Sequence, residues 1–149
     1  MKSIVQGVVE TPLGPVSVLV ENGFAVEIRL GRVEAGVPPE RVEPFVTQIE
    51  EYFSGVRKTF NFPVLLEGTD FQKRVWRIVR EIPYGCVRTY GWIAKKLQTS
   101  PRAVGMALKY NRLPLYIPCH RVVAANGMGG FSSGFEWKEY LLELEGVVL

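Results

Sequence analysis

The sequence predicts an α/β N-terminal domain over residues 1–65, a small antiparallel sheet plus one helix, followed by a mostly helical C-terminal domain with a helix-turn-helix over residues 66–149. The prediction rests on three features. Valine-rich segments separated by turn signals occupy residues 4–33, apolar residues recur at helical spacing from Phe71 onward, and the charge is unevenly divided between the halves. Residues 1–65 hold 6 Lys and Arg against 8 Asp and Glu, whereas residues 66–149 hold 12 against 7.

In the first half, "IVQGVVET" and "PVSVLVEN" are strands, with "TPLG" between them as a hairpin turn and Asn22-Gly23 as the next. Beyond it Phe24, Val26, Ile28 and Leu30 alternate with Ala25, Glu27 and Arg29, the period of a half-buried strand. Residues 40–55 contain a helix that begins near Pro44, places Phe45, Val46, Ile49 and Phe53 on one face, and stops at Gly55. "FNFPVLLEG" is an extended connector.

In the second half, Thr69 and Gln72 make a capping-box pattern ahead of "FQKRVWRIVREI", where Phe71, Val75, Ile78, Val79 and Ile82 form an apolar stripe. "TYGWIAKKL" (89–97) and "PRAVGMALKYN" (101–111) are two short helices across the connection "QTS". Ser100 caps the second, Pro101 opens it, and Asn111 suits a left-handed cap at its end. Such a pair matches a helix-turn-helix, and it equally matches any helical hairpin. Ala103, Gly105 and Ala107 are small and follow Arg102, which suits close approach to a nucleic-acid groove or tight packing inside the protein. "LPLYIPCHRVV" is strand-like but interrupted by Pro114 and Pro118, "ANGMGGFSSG" is a loop, and "FEWKEYLLELEG" is an amphipathic helix with Trp137, Tyr140, Leu141 and Leu144 inward.

Composition narrows the function. No apolar run approaches the roughly 20 residues of a membrane span, and the N-terminus lacks a signal-peptide core, so a soluble cytoplasmic protein with no membrane partner is expected. Cys86 and Cys119 are read as free thiols, and with His120 they fall short of a zinc set, so no metal is expected. Between residues 71 and 121 eleven basic residues face the single acid Glu81, a balance that suits a polyanion or a solvated basic surface.

The chain's one histidine directly follows Cys119. In a regular strand the two side chains would point to opposite sides, so a bent or helical turn, or a bridging water, is needed for His120 to take the thiol proton. Arg121 would add positive potential. The alternative is an inert cysteine beside a surface histidine. Glu145, at the unfavourable end of the last helix's dipole, is either an orienting partner for His120 or an exposed residue before the capping Gly146.

"TDFQKRVW", "IPYG", "TYGWIA", "SPRAVGMAL", "YNRLPLYIPCHRV", "GMGGFSSG" and "KEYLLELEG" together resemble the O6-alkylguanine-DNA alkyltransferase family in order and approximate spacing, over roughly residues 69–146. The N-terminal half resembles that family's ribonuclease-H-like accessory domain only in size and strand-rich pattern. The resemblance implies a direct DNA repair reaction without cofactor, in which Cys119 attacks the alkyl carbon on O6 of guanine and keeps the group. His120 would deprotonate Cys119 through a water, and Glu145 would orient His120. Asn111 resembles the family's hinge asparagine, Arg102 the arginine that replaces the extruded nucleotide, and Tyr90 the tyrosine that turns the target phosphate and donates toward guanine N3. Arg102, Ala103, Gly105, Tyr90 and Arg121 are the expected DNA-binding residues. Pro114, Val122 and Phe131 would wall the alkyl pocket, with Ser132 and Ser133 beside them. The implied partner is double-stranded DNA containing O6-alkylguanine, bound through the minor groove by a monomer with the base extruded.

The chain departs from the family at Phe131, where a tyrosine is expected, so backbone N–H groups around Ser132 and Ser133 serve the leaving O6 alone. No Cys or His precedes Cys86, which removes the expectation of the structural zinc of some relatives. Two other functions fit parts of the pattern: a helix-turn-helix DNA-binding protein with an incidental thiol, and a cysteine hydrolase using Cys119 and His120.

Overall fold

The structure, a computed structural model, describes residues 3–148. It divides into two compact units, one ending at Leu66 and the other beginning at Glu67. In the first, β1 (Ile4–Thr11), β2 (Gly14–Glu21) and β3 (Phe24–Leu30) form an antiparallel sheet in that order. The central β2 is the most buried: Val16, Val18, Leu19 and Val20 all lie in the core. The alternation expected in β3 breaks. Val18 faces Ile28 and Leu19 faces Glu27, but Val20 faces Ala25, so the register slips at Val26. A one-residue slip reverses the faces of a strand, and so Ala25 is fully buried while Phe24 is 45% exposed.

Helix α1 (Phe45–Phe53) buries Phe45, Val46, Ile49 and Tyr52. Tyr52, not the expected Phe53, completes the inner face, because seven residues bring the helix within about 20° of Phe45 and eight overshoot to about 80°. Phe60 and Phe62 close this core, with ring centroids 5.3 Å from Tyr52 and 5.0 Å from Phe45 respectively. Its buried polar side chains are neutral and tie down the backbone. Gln6 Oε1 accepts from Glu34 N at 2.7 Å, Gln6 Nε2 donates to Val37 O at 2.7 Å, and Ser17 Oγ donates to Arg32 O at 2.8 Å.

In the second unit the capping box of α2 (Asp70–Arg80) forms as expected: Gln72 N donates to Thr69 Oγ1 at 3.1 Å and Thr69 N to Gln72 Oε1 at 3.0 Å. Val75, Trp76 and Val79 are buried, whereas Phe71 and Ile78 are only half-buried. Trp76 Nε1 donates to Ala107 O at 2.9 Å and so joins α2 to α4 (Pro101–Lys109), which follows α3 (Tyr90–Leu97) across residues 98–100. The left-handed residue of this pair is Gln98, at φ 53°, rather than Asn111. Helix α4 ends instead at Tyr110 with an ordinary φ of −92°, which leaves the Asn111 side chain free for another use. The segment expected to be strand-like forms only a 3-10 turn at Cys119–Arg121 and the short β5 (Val122–Val123), parallel to β4 (Arg88–Thr89). Pro114 and Pro118 have no N–H to give a ladder. Helix α5 (Phe135–Leu144) turns Trp137, Lys138, Leu141 and Leu142 inward, while Tyr140 and Leu144 stay half-buried. Among the described residues no helix is long and apolar enough to cross a membrane.

Candidate active site

Cys119 opens the 3-10 turn, so the chain bends here instead of continuing as a regular strand. Asn111 holds this turn from the end of α4. Its Nδ2 donates to Ile117 O at 3.0 Å and to Cys119 Sγ at 3.2 Å, while its Oδ1 accepts from Leu113 N at 2.9 Å. The asparagine thus links the last residues of the helix-turn-helix to the sulfur itself.

His120 points into the core and is fully buried. Its Nε2 lies 2.7 Å from Glu145 Oε2. Arg121 grips the same carboxylate through Nε to Oε1 at 2.8 Å and Nη2 to Oε2 at 3.0 Å, and its Nη1 donates to Ile82 O at 2.7 Å. Gly85 N adds a hydrogen bond to Glu145 Oε1 at 3.1 Å. Arg121 is therefore not a DNA contact. Its side chain is 7% exposed and bidentate on a buried carboxylate, a geometry that does not present it to a phosphate. Glu145 is buried against His120 and Arg121 rather than exposed as a capping residue, and Arg121 offsets its position at the negative end of α5.

A cavity of about 630 Å³ opens above Cys119, bordered by α4 and by residues 130–133. Of the expected pocket residues, Pro114, Phe131, Ser132 and Ser133 line it. Val122 does not: it is fully buried in β5, and only its carbonyl acts locally, accepting from Lys138 Nζ at 2.6 Å. Tyr90, Arg102 and Gly105 also line the cavity. Ala107 faces the interior and Ala103 is half-buried off the lining, so Gly105 is the small residue that opens this wall. Gly129, at φ 75°, lies where a Cβ would meet the Tyr90 ring at 2.8 Å, so the loop can pass over Tyr90 only as glycine. Tyr90 Oη donates to Gly130 O at 3.4 Å.

Lys138 was not singled out by the sequence. It is fully buried, and its Nζ donates to Val122 O and, at 3.0 Å, to Gly130 O, fastening the loop that roofs the cavity. The one available signal was its place in the first turn and a half of an apolar helix face, where a lysine ordinarily snorkels outward.

The electrostatics are those of a thiol that needs a base. Burial pushes the Cys119 thiol up to about 11, although the Asn111 hydrogen bond, the Lys138 charge and the N–H groups of the turn all pull the other way. Burial lowers Lys138 to about 8. Burial also holds His120 below its ordinary 6.5 despite Glu145, so the imidazole is neutral at pH 7. For Glu145, burial alone would raise the carboxyl, but hydrogen bonds from His120 and Arg121 outweigh it and hold the group well below the carboxylate range. A carboxylate only accepts, so the neutral ring carries its proton on Nε2 and leaves the Nδ1 lone pair open. Nδ1 is the one buried side-chain N or O atom without a hydrogen-bond partner among the described residues. No cluster of three or more His, Cys, Asp or Glu able to hold a metal occurs among them.

A helix-turn-helix whose second helix borders a cavity, with a cysteine and an orientated neutral histidine at its foot, defines a DNA-binding protein with a nucleophilic thiol. Residues 70–147 match the family profile described as 6-O-methylguanine DNA methyltransferase, DNA binding domain. A methylated-DNA–protein-cysteine methyltransferase of Methanosarcina acetivorans is 43% identical over 148 residues, covering 92% of this chain and 95% of that protein. The crystal structure of the Mycobacterium tuberculosis O6-methylguanine methyltransferase is similar at TM-score 0.85 and 33% identity, covering 96% of this chain and 93% of that one. The Mycobacterium tuberculosis OGT in complex with DNA is similar at TM-score 0.84 and 34% identity, covering 94% and 91%. The chain belongs to the O6-methylguanine DNA methyltransferase family.

Proposed function

We propose that this protein repairs O6-alkylguanine in double-stranded DNA by irreversible transfer of the alkyl group to Cys119. The single observation that carries the assignment of the residues is the presence, on one turn, of a cavity-facing thiol and a buried histidine whose Nδ1 has no hydrogen-bond partner. The target guanine swings out of the duplex into the cavity, since O6 within the stack cannot meet a thiol at the cavity foot. His120 Nδ1 takes the Cys119 proton through a water, and Glu145 stabilises the imidazolium through Nε2. Sγ then attacks the alkyl carbon: the S–C bond forms, the C–O6 bond breaks, and the electron pair leaves with guanine, which takes up the proton. N–H groups at Ser132 and Ser133 receive the developing charge on O6 in place of the phenol absent at Phe131. A thioether has no hydrolytic route back to the thiol, so one protein repairs one base.

Minor-groove binding and base extrusion are supported by Arg102, exposed at the second residue of α4 and lining the cavity. Its planar guanidinium can fill the gap left in the stack. Arg102→Ala should slow repair in duplex DNA at least tenfold while leaving reaction with free O6-benzylguanine nearly unchanged, and equal losses on both would remove this role. The protein acts as a monomer in the cytoplasm. The first unit, a three-stranded sheet and one helix, serves as the ribonuclease-H-like accessory domain.

The deciding experiment is labelled methyl transfer from an O6-methylguanine duplex. It should load one methyl group per chain, mapped to Cys119, without turnover, and Cys119→Ala should abolish it while binding DNA. DNA binding without transfer would leave a non-catalytic helix-turn-helix protein, and repeated turnover of esters would indicate a hydrolase.

A further inference from the structure

The three tryptophans have different settings. Trp76 and Trp137 are 3% and 6% exposed, whereas Trp92, in the first turn of α3, is 40% exposed. The Arg88 guanidinium carbon lies 5.2 Å from the centroid of its ring and Lys96 Nζ lies 4.6 Å from it. Lys96 follows Trp92 by one turn on the same face of α3, and Arg88 reaches the ring from β4, just ahead of the helix. Tyr90 faces the cavity from about 200° round the same helix, and Trp92 is not among the cavity residues. The cluster is therefore separate from the base-binding site although it starts from the same turn of helix.

Its charge is not neutralised. No acid occurs in sequence between Glu81 and Glu136, and no ion pair engages Arg88, Lys95 or Lys96 among the described residues. Two like charges gathered on one ring repel each other, and the ring's negative face offsets only part of that repulsion. The ring also restrains two flexible side chains before any ligand arrives, so less freedom is lost when an anion binds. Between the cations the partly exposed indole supplies an apolar surface. An anion alternating with an apolar sugar suits both features, which is the chemistry of a sugar–phosphate strand.

We propose that Arg88, Trp92 and Lys96 grip the sugar–phosphate backbone of the bound duplex outside the cavity, a second contact that anchors flanking DNA while the cavity holds the base. This inference rests on the DNA-repair reading above. Trp92 is the one substantially exposed indole of the three, so acrylamide quenching of the free protein's fluorescence reports chiefly on it. Adding saturating unmodified duplex should reduce quenching to the level of the Trp92→Phe variant. Lys96→Gln should weaken duplex binding several-fold and lower the slope of log affinity against log salt by about one, with free O6-benzylguanine reacting at the wild-type rate. Continued quenching of Trp92 at saturating duplex, or an unchanged salt slope in Lys96→Gln, would overturn the contact and leave the repair reading standing. A wild-type protein that binds no duplex would overturn both.

Discussion

The two units bury polar side chains of different kinds. In the first they are Gln6, Ser17 and Gln48, neutral groups paired to nearby backbone and to Asn61. In the second they are His120, Arg121, Lys138 and Glu145, all ionisable. A neutral amide is cheap to bury once its hydrogen bonds are made, whereas each buried ion carries a penalty of several kcal/mol even when paired. A fold that needed only shape would use the first kind throughout. The ionisable set gathers at the turn that carries Cys119, where it holds one imidazole neutral with its Nδ1 unpartnered.

The largest change should follow Glu145→Gln, which leaves the Arg121 guanidinium buried without a counter-charge. A loss of about 3–5 kcal/mol at pH 7 is expected in urea unfolding, together with slower transfer. The loss should depend on pH with a definite sign. The folded-state pKa of Glu145 lies below its ordinary 4.5, so its contribution is complete above that value and declines as pH falls below it. Wild type and variant should therefore converge in acid. A difference that stays constant from pH 7 to pH 3 would mean the carboxylate's charge is not what holds the network.

Gln6→Leu should cost less, about 1–3 kcal/mol, by stranding Glu34 N and Val37 O. The cost should be flat with pH, and the rate on free O6-benzylguanine should not change. A pH-dependent loss, or a slower reaction, would erase the distinction between the two kinds of burial. The smallest effect is expected at Phe24, where Phe24→Ser should alter stability by less than about 0.5 kcal/mol because the slip at Val26 has already placed the ring outside. A loss above about 1.5 kcal/mol would show the ring to be buried and the register regular.

The same division explains what was legible in the sequence. Local rules found the three strands, the capping box at Thr69 and Gln72, and the cap at Ser100, since these are decided by neighbours a few residues apart. They failed where a distant partner decides. The β3 bulge is set by pairing with β2, Asn111 is used by a turn eight residues on, and Arg121 is drawn inward by a carboxylate 24 residues away. Cys119 and His120 stood out by adjacency and Glu145 by its awkward helix end. Lys138 had no such mark, because a lysine on an apolar helix face reads as an outward-reaching side chain until the carbonyls of Val122 and Gly130 are seen to receive it.

The central claim is that Cys119 loses its proton to His120 rather than to bulk water, and the pH dependence of single-turnover alkyl transfer to the wild-type protein tests it most directly. A thiol held near 11 is almost entirely protonated at neutral pH, so unassisted ionisation would make the rate climb about tenfold per pH unit from pH 6 toward 10. Transfer to a neutral imidazole whose pKa is lowered below 6.5 gives another profile. The rate should be level between about pH 7 and 8 and fall only on the acid side, where His120 takes up a proton of its own and can no longer accept one from Cys119. A level profile through neutrality that turns into a tenfold rise per unit in His120→Ala is the predicted result; the same steep rise in wild type would contradict the account.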